Sequence, residues 1–465
     1  MSARLRHLLV LPVLFALPAL AGDDVDFYAD VMPLIASNCI TCHADDGVSF
    51  SFENPEDTYN LRMAIASAVA EERMPPWLAE SGHQDYVGDY SLSDDEKQLV
   101  AAWASAGYPK GEPTASRFTS PELQKFEADI SFEIIPDDVY LPNQERKDDY
   151  RCFLIDWPYE EDMYVTGFMA TPGNLRVSHH LVNFVVGPEA AGILKTISAE
   201  EEGQGHQCFG GPIPDALGSK EAQQALEERF PGAMDALFKN NFWLSHWAPG
   251  MYGEEFPADT GILVRPGSVI VVQMHYYSAF APGEPDVDTS MHFKVAKHVD
   301  KPSVNLPLTN YRWLRSNRNQ MMTIPPGESA TFETSAFFTE AAGFAANALK
   351  IPPEQIEALE LRSANVHMHA FGASGEASLQ HATGEKETLL RIPRWDLDWQ
   401  RDFLFEESKI IPHEDFERAR LIVECTFDNY TDETVYGGYG SDDEMCFNFS
   451  YVSVIRKEES VANAD

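Results

Sequence analysis

The sequence predicts a multidomain chain: a small all-α domain followed by two all-β sandwiches. Residues 24–110 carry helical spacing around a compact Cys/His motif, and residues 108–124 are rich in Pro, Gly, Ser and Thr. From about residue 130, short β-branched and aromatic runs alternate with Pro and Gly turns, over a length that exceeds one typical sandwich. The expected divisions are a leader over 1–21, a helical domain over 22–110, a linker over 111–130, sandwiches over 131–298 and 299–456, and an acidic tail over 457–465.

The chain opens with "MSARLRHLLVLPVLFALPALAGDD". Arg4 and Arg6 precede an apolar stretch from Leu8 to Leu20, and Ala19-Leu20-Ala21 has the small-x-small form of a signal-peptidase site. Cleavage is expected before Gly22, giving a periplasmic or secreted protein. The apolar stretch is too short for a comfortable membrane span. The net charge is −40, from 34 Lys+Arg against 74 Asp+Glu, which argues against nucleic acid and anionic membrane surfaces as partners. Apolar residues make up 44% of the chain, enough for packed cores.

Residues 39–43 read "CITCH". In C-x-x-C-H both thiols bond the vinyl groups of a haem and the His becomes an axial iron ligand, so Cys39, Cys42 and His43 are the expected attachment site of one covalent haem c. The preceding "VDFYADVMPLIASN" has helical spacing, and "LSDDEKQLVAAWASAGYP" begins with Ser93 and Glu96 in capping-box register and ends at Gly107. Met74 in "ERMPPW" is the expected distal ligand, with Met63 and His83 as competitors. About residues 24–110 resemble a small class I cytochrome c. A Met/His-ligated haem serves one-electron transfer.

In the β region, "DMYVTGFMATPGN", "HHLVNFVVGP", "TGILVRPGSVIVVQMHYY" and "RLIVECTFDN" read as strands, while "KEAQQALEERF" and "PPEQIEALELR" read as helical inserts. Four features there suit metal binding. In "VHMHAFG", His367 and His369 stand one residue apart, on one face if the segment is a strand. His179 and His180 are adjacent in "VSHHLVNF". On a regular strand they would point to opposite faces, so joint ligation requires a bend or different ring nitrogens. His275 sits inside the apolar run "VVQMHYY", and Met445 precedes Cys446 in "SDDEMCFNF". Beyond the haem motif, Cys152, Cys208, Cys425 and Cys446 remain, an even number that suggests two disulfides with three possible pairings.

The order H-H, Q-M-H-Y, H-M-H, E-M-C, with "DDYRCFLIDW", "HWAPGMYGEEFPADTG" and "RWDLDWQ" around it, resembles the copper type II ascorbate-dependent monooxygenases over about residues 130–456. The resemblance implies two jelly-roll-like sandwiches and two copper ions. One copper would be held by His179, His180 and His275, and the oxygen-binding one by His367, His369 and Met445. Tyr150 and Gln273 would support the first site, and the disulfides would pair Cys152 with Cys208 and Cys425 with Cys446. Imidazoles suit copper in either oxidation state, and a thioether favours the cuprous form. His246 is the strongest supporting candidate among the other histidines.

The implied function is hydroxylation of a C–H bond of a small molecule by dioxygen. The better-known relatives lack the haem and take electrons from ascorbate; here the haem is expected to deliver electrons to the copper domain. An external one-electron donor, a periplasmic redox protein or small reductant, would reload it. Peptide-hydroxylating relatives carry an Arg two residues before H-x-H; here that position is Asn365. Polar residues expected two and four places after the Met are Phe447 and Phe449. Such a pocket cannot grip a carboxylate bidentately, which favours a neutral aromatic or aliphatic substrate. The competing readings are an electron-transfer or copper-handling protein without hydroxylase activity, and a haem that reacts directly with oxidant.

Overall fold

The structure, a computed structural model, describes residues 25–45, 49–118, 126–135, 139–248, 251, 253–279, 281–314, 321–440 and 442–457. The leader with its cleavage site, and the acidic tail beyond residue 457, lie outside them. The chain divides into two compact units, residues 1–76 with 90–123 and residues 77–89 with 124–465.

The smaller unit is helical among its described residues: a π-type turn Phe27–Val31 running into the helix Met32–Asn38, then Pro55–Asn60, Arg62–Ala70 and Asp94–Ser105. The last starts at the expected capping box, where the Ser93 side chain accepts the Glu96 N–H and Glu96 Oε2 accepts the Ser93 N–H. Phe27, Val31, Met32 and Ile35 recur at helical spacing and pack against Trp103, with the Phe27 and Trp103 rings stacked at 5.8 Å.

The larger unit is mostly β-sheet. A nine-stranded sheet runs through it in the order Ile130–Glu133, Ser290–Ala296, Met163–Thr171, Thr260–Val264, Lys301–Leu308, Asn448–Arg456, Ile356–Ala364 and Phe403–Pro412, with Glu254–Glu255 added beside Met163–Thr171. A five-stranded sheet (His206–Gln207, Asp148–Asp156, Val269–Tyr277, Ser178–Val186, Asn241–Trp247) shares one core with the first half of it, built on Phe153, Leu181, Ile270, Val272, Met291 and Phe293. A four-stranded sheet (Ser329–Phe337, Arg420–Asp428, Gly372–Gln380, Lys386–Ile392) shares a second core with the other half, built on Leu359, Leu361, Leu379, Leu390, Val423 and Val454. The helices Pro188–Ser198, Lys220–Arg229 and Ala233–Lys239 cover the outer face of the five-stranded sheet. Among the described residues, no helix is long and apolar enough to cross a membrane.

Three features depart from expectation. "PPEQIEALELR" is a short 3₁₀ turn, Pro353–Gln355, followed by the strand Ile356–Ala364. Its Leu- and Glu-rich composition favours a helix, but the segment lies between two strands with Leu359 and Leu361 fully buried, and sheet pairing overrides propensity. The expected boundary at 298/299 does not divide the sheets, because Lys301–Leu308 pairs in parallel with Thr260–Val264 of the preceding half. Finally, residues 77–89 leave the helical region and join the β unit: Tyr86 bridges Phe405 and donates to the Leu389 carbonyl at 2.8 Å, and the Trp77 ring lies 5.1 Å from Phe403.

Candidate metal centres

His179, His180 and His275 come together in the five-stranded sheet, each offering a ring nitrogen within 4.8 Å of the others'. The pairing of Ser178–Val186 with Val269–Tyr277 explains how adjacent histidines share a face. His275 lies opposite His180 and Tyr276 opposite Ser178, so His179 is the extra residue of a β-bulge. The bulge turns His179 toward the side that His180 faces. Its Nδ1 lies 3.0 Å from His180 Nδ1, which in turn is 3.5 Å from His275 Nδ1. With imidazole–metal bonds of about 2.0–2.1 Å, these spacings correspond to ligand angles of roughly 95–120° around one ion.

His275 Nε2 is 2.9 Å from Asp148 Oδ1. A carboxylate accepts, so Nε2 carries the proton and the Nδ1 lone pair faces the other imidazoles. Tyr150 stacks on the His275 ring at 4.1 Å and 8°, with Phe209 edge-on behind it. Gln273 points its amide at the Gly211 carbonyl, 3.1 Å away, and toward Cys208, so it steadies the loop after Cys208. Burial disfavours the imidazolium throughout: His179 is lowered to about 4, His180 lies well below its ordinary value, and His275 is lowered despite Asp148. Neutral imidazole is the metal-binding form.

His367 and His369 stand in an extended segment, not a regular strand. Its one β-bridge joins His367 to Phe447, with N–H···O distances of 2.9 and 3.1 Å. The alternation expected of a strand survives: Val366 and Met368 enter the core while the two histidines stay half-buried on the opposite side. His369 Nδ1 donates to the Asp443 carbonyl at 2.9 Å, and His367 Nδ1 donates to Gln400 Oε1. Gln400 Nε2 is bonded to the Leu397 carbonyl, which fixes the amide with its oxygen toward His367. Both rings therefore keep a lone pair on Nε2. Burial lowers His367 to about 3 and lowers His369 as well.

Met445 is buried in a cluster with Leu314 and Phe447, with Tyr439 and Phe449 packed against it. Glu444, before it, accepts the backbone N–H groups of His369 (2.8 Å) and Phe371 (2.6 Å), and of Met445 at 3.3 Å. Its burial raises it to about 7 against the pull of those bonds. Charge on His367 lowers His180, and charge on His275 lowers His369, so the two histidine groups lie within electrostatic reach of each other. His246 also acts on both His180 and His367.

Beside His367 the rings of Phe447 and Phe449 stack at 5.3 Å and 6°, each 6.4 Å from the imidazole, and Phe449 packs on Trp243 at 4.3 Å. Asn365 is buried, its Nδ2 donating to the Arg401 carbonyl at 3.0 Å. Disulfides join Cys152 to Cys208 and Cys425 to Cys446. The grouping of Cys152, His206 and Cys208 is therefore a His packed on a disulfide, whose sulfurs are not thiolate ligands.

In the helical unit, Cys39 caps the helix Met32–Asn38, and the N–H groups of Cys42 and His43 return to its carbonyl at 3.1 and 3.0 Å. His43 is buried against Phe52, rings 4.2 Å apart, and its Nδ1 donates to the Phe50 carbonyl at 2.9 Å, leaving the Nε2 lone pair for a metal. Met74 is half-buried, with its N–H 3.2 Å from the Ala68 carbonyl, and Met63 is 66% exposed. His83 falls in the 77–89 segment, paired with Glu80 at 2.9 Å.

Sequence reasoning missed Asp148, Gln400, Glu444 and Trp243. Asp148 had a signal, since it lies two residues before Tyr150 and so shares its face of the strand. Gln400 and Trp243 had none, because both come from distant segments.

Two imidazoles with preset Nε2 lone pairs, joined by backbone bonds to a segment carrying a buried Met, offer donors that suit copper better than zinc. Residues 314–459 match the family described as copper type II ascorbate-dependent monooxygenase, C-terminal domain. That stretch is just under a third of the chain and holds His367, His369 and Met445. The match makes the protein an oxidoreductase of the copper-dependent monooxygenase type. No curated protein matches the chain.

Several solved structures show a faint similarity. The cowpea mosaic virus top component is 9% identical, covering 66% of this chain and 78% of its own, with a TM-score of 0.24. For the major capsid protein of bacteriophage PM2 the values are 11%, 70%, 97% and 0.22, and for PNGF-II they are 11%, 72%, 64% and 0.24. None of these likenesses bears on function.

Proposed function

We propose that this is an exported dicopper monooxygenase that hydroxylates a C–H bond of a small neutral substrate and draws its electrons through a haem c in the same chain. The observation that carries the reading is the matched preparation of two ligand sets. His275, His367 and His369 each have one ring nitrogen engaged by an acceptor, which turns the other outward as a lone pair. The pairing with Met445 separates the second set chemically from the first.

Bound copper supplies the one-electron redox chemistry by which dioxygen is reduced, one oxygen atom going to product and one to water. The chain's own residues position and exclude. Asp148 and Tyr150 hold His275, while Gln400 and the Asp443 carbonyl hold His367 and His369. The Phe447–Phe449 stack gives an apolar substrate a flat face beside His367 and keeps water from it. No side-chain base is required.

A haem would be held by Cys39, Cys42, His43 and Met74, and would supply one-electron transfer. Covalent linkage of donor and acceptor keeps the effective concentration on the order of millimolar. Export rests on the leader and agrees with the two disulfides, since such bonds persist in oxidising compartments.

Metal analysis and stopped-flow spectroscopy test the reading together. Purified from an oxidising compartment, the protein should bind two copper ions and one covalent haem. The reduced haem should reoxidise rapidly only when copper and oxygen are both present; persistence of the reduced spectrum would overturn electron delivery through the haem.

A further inference from the structure

We infer that Glu444 is the positioning residue that brings the His367/His369 segment and Met445 into one coordination sphere. This rests on the reading of those three residues as a copper site. The segment 365–371 has little strand pairing of its own, so its N–H groups need another partner. The fully buried Glu444 carboxylate supplies it, Oε2 accepting from His369 and Met445 and Oε1 from Phe371. One side chain thus bonds the backbone of a His ligand and that of the Met ligand.

Glu444 is itself anchored. Its N–H donates to the Tyr436 carbonyl and its own carbonyl accepts from Gly438, both at 2.9 Å. Two residues on, Cys446 is tied to Cys425 in the strand Arg420–Asp428. Asp443, Glu444 and Met445 consequently serve the site in succession: a carbonyl orients the His369 ring, a carboxylate fixes the two backbones, and a thioether would complete the donor set. A carboxyl group presents two oxygens, whereas an amide presents one and would set its NH₂ against the remaining N–H. Glu444→Gln can keep its one oxygen on both His369 and Met445, whereas Glu444→Leu, similar in size, removes every acceptor and breaks the link. Supporting groups of this kind contribute about 10–100-fold to metal affinity.

The test uses the full chain loaded with copper and reduced, read by X-ray absorption for a sulfur scatterer and by competition with a chromophoric chelator. Wild type should show copper–sulfur scattering that Met445→Leu abolishes. In Glu444→Leu that scattering should vanish and one of the two copper equivalents should weaken about 10–100-fold, with the other unchanged as an internal control. Should Glu444→Leu fail to fold by near-ultraviolet circular dichroism, Glu444→Asp, which keeps both oxygens one methylene short, is read in the same two ways. Retention of sulfur scattering and both affinities in whichever variant folds overturns the assignment. If wild type shows no scattering that depends on Met445, the copper-site reading itself falls and takes this inference with it.

Discussion

The Asp148 carboxylate accepts a 2.9 Å bond from His275 Nε2, and this contact decides which nitrogen of His275 faces His180. Without it both tautomers of His275 become available and the ring loses one of its two restraints, the other being the Tyr150 stack. Asp148→Ala should weaken copper at His179/His180/His275 by about 10–100-fold. The second copper should keep its affinity. Chelator competition on the apo-protein checks this, and equal weakening of both equivalents would show that Asp148 acts on the fold as a whole.

The disulfide Cys425–Cys446 closes a short loop next to Met445, with a sequence separation of 21. Chain entropy assigns a loop of this size roughly 3 kcal/mol of stability. A Cys425→Ala/Cys446→Ala double variant should lose about that much in urea unfolding. Because Cys446 adjoins Met445, the loss should be accompanied by weaker copper at the thioether site and by unchanged copper at the all-imidazole site.

His206 is one source of acid sensitivity, beside the buried histidines of the metal centres. It is fully buried between Ser198 Oγ at 2.8 Å and the Pro212 carbonyl at 3.1 Å, and burial lowers it to about 4. The unfolded chain, with an ordinary value near 6.5, binds a proton more readily. The stabilising contribution is therefore complete above about pH 6.5 and declines as pH falls toward 4, a change on the order of 3 kcal/mol. Unfolding midpoints compared at pH 7.5 and 4.5 should fall less in His206→Gln than in wild type.

The strands carrying the histidines and the capped helix Asp94–Ser105 were legible because local patterns encode them: alternation in "VVQMHYY", a capping box at Ser93. The strand Ile356–Ala364 was not, since its composition favours a helix and only its two neighbouring strands decide otherwise. The same holds at the first site. The sequence required a bend for His179 and His180 to act together, but the bulge that provides it is defined by register against Val269–Tyr277, a distant segment. At the second site the i, i+2 spacing of His367 and His369 was informative even outside a strand, because alternate burial of Val366 and Met368 preserves it. Their acceptors, Gln400 and the Asp443 carbonyl, come from segments 33 and 74 residues away. Local periodicity carries no information about such partners.

Oxygen consumption in labelled dioxygen tests the central claim most directly. The copper-loaded protein with reduced haem is screened against small neutral aromatic and aliphatic compounds, beside Met445→Leu. The account predicts uptake that requires a substrate, a product heavier by one labelled oxygen atom, and loss of both in Met445→Leu. Two bound coppers with no coupled uptake across the screen, or uptake indifferent to Met445, would contradict it and favour electron transfer or copper handling instead.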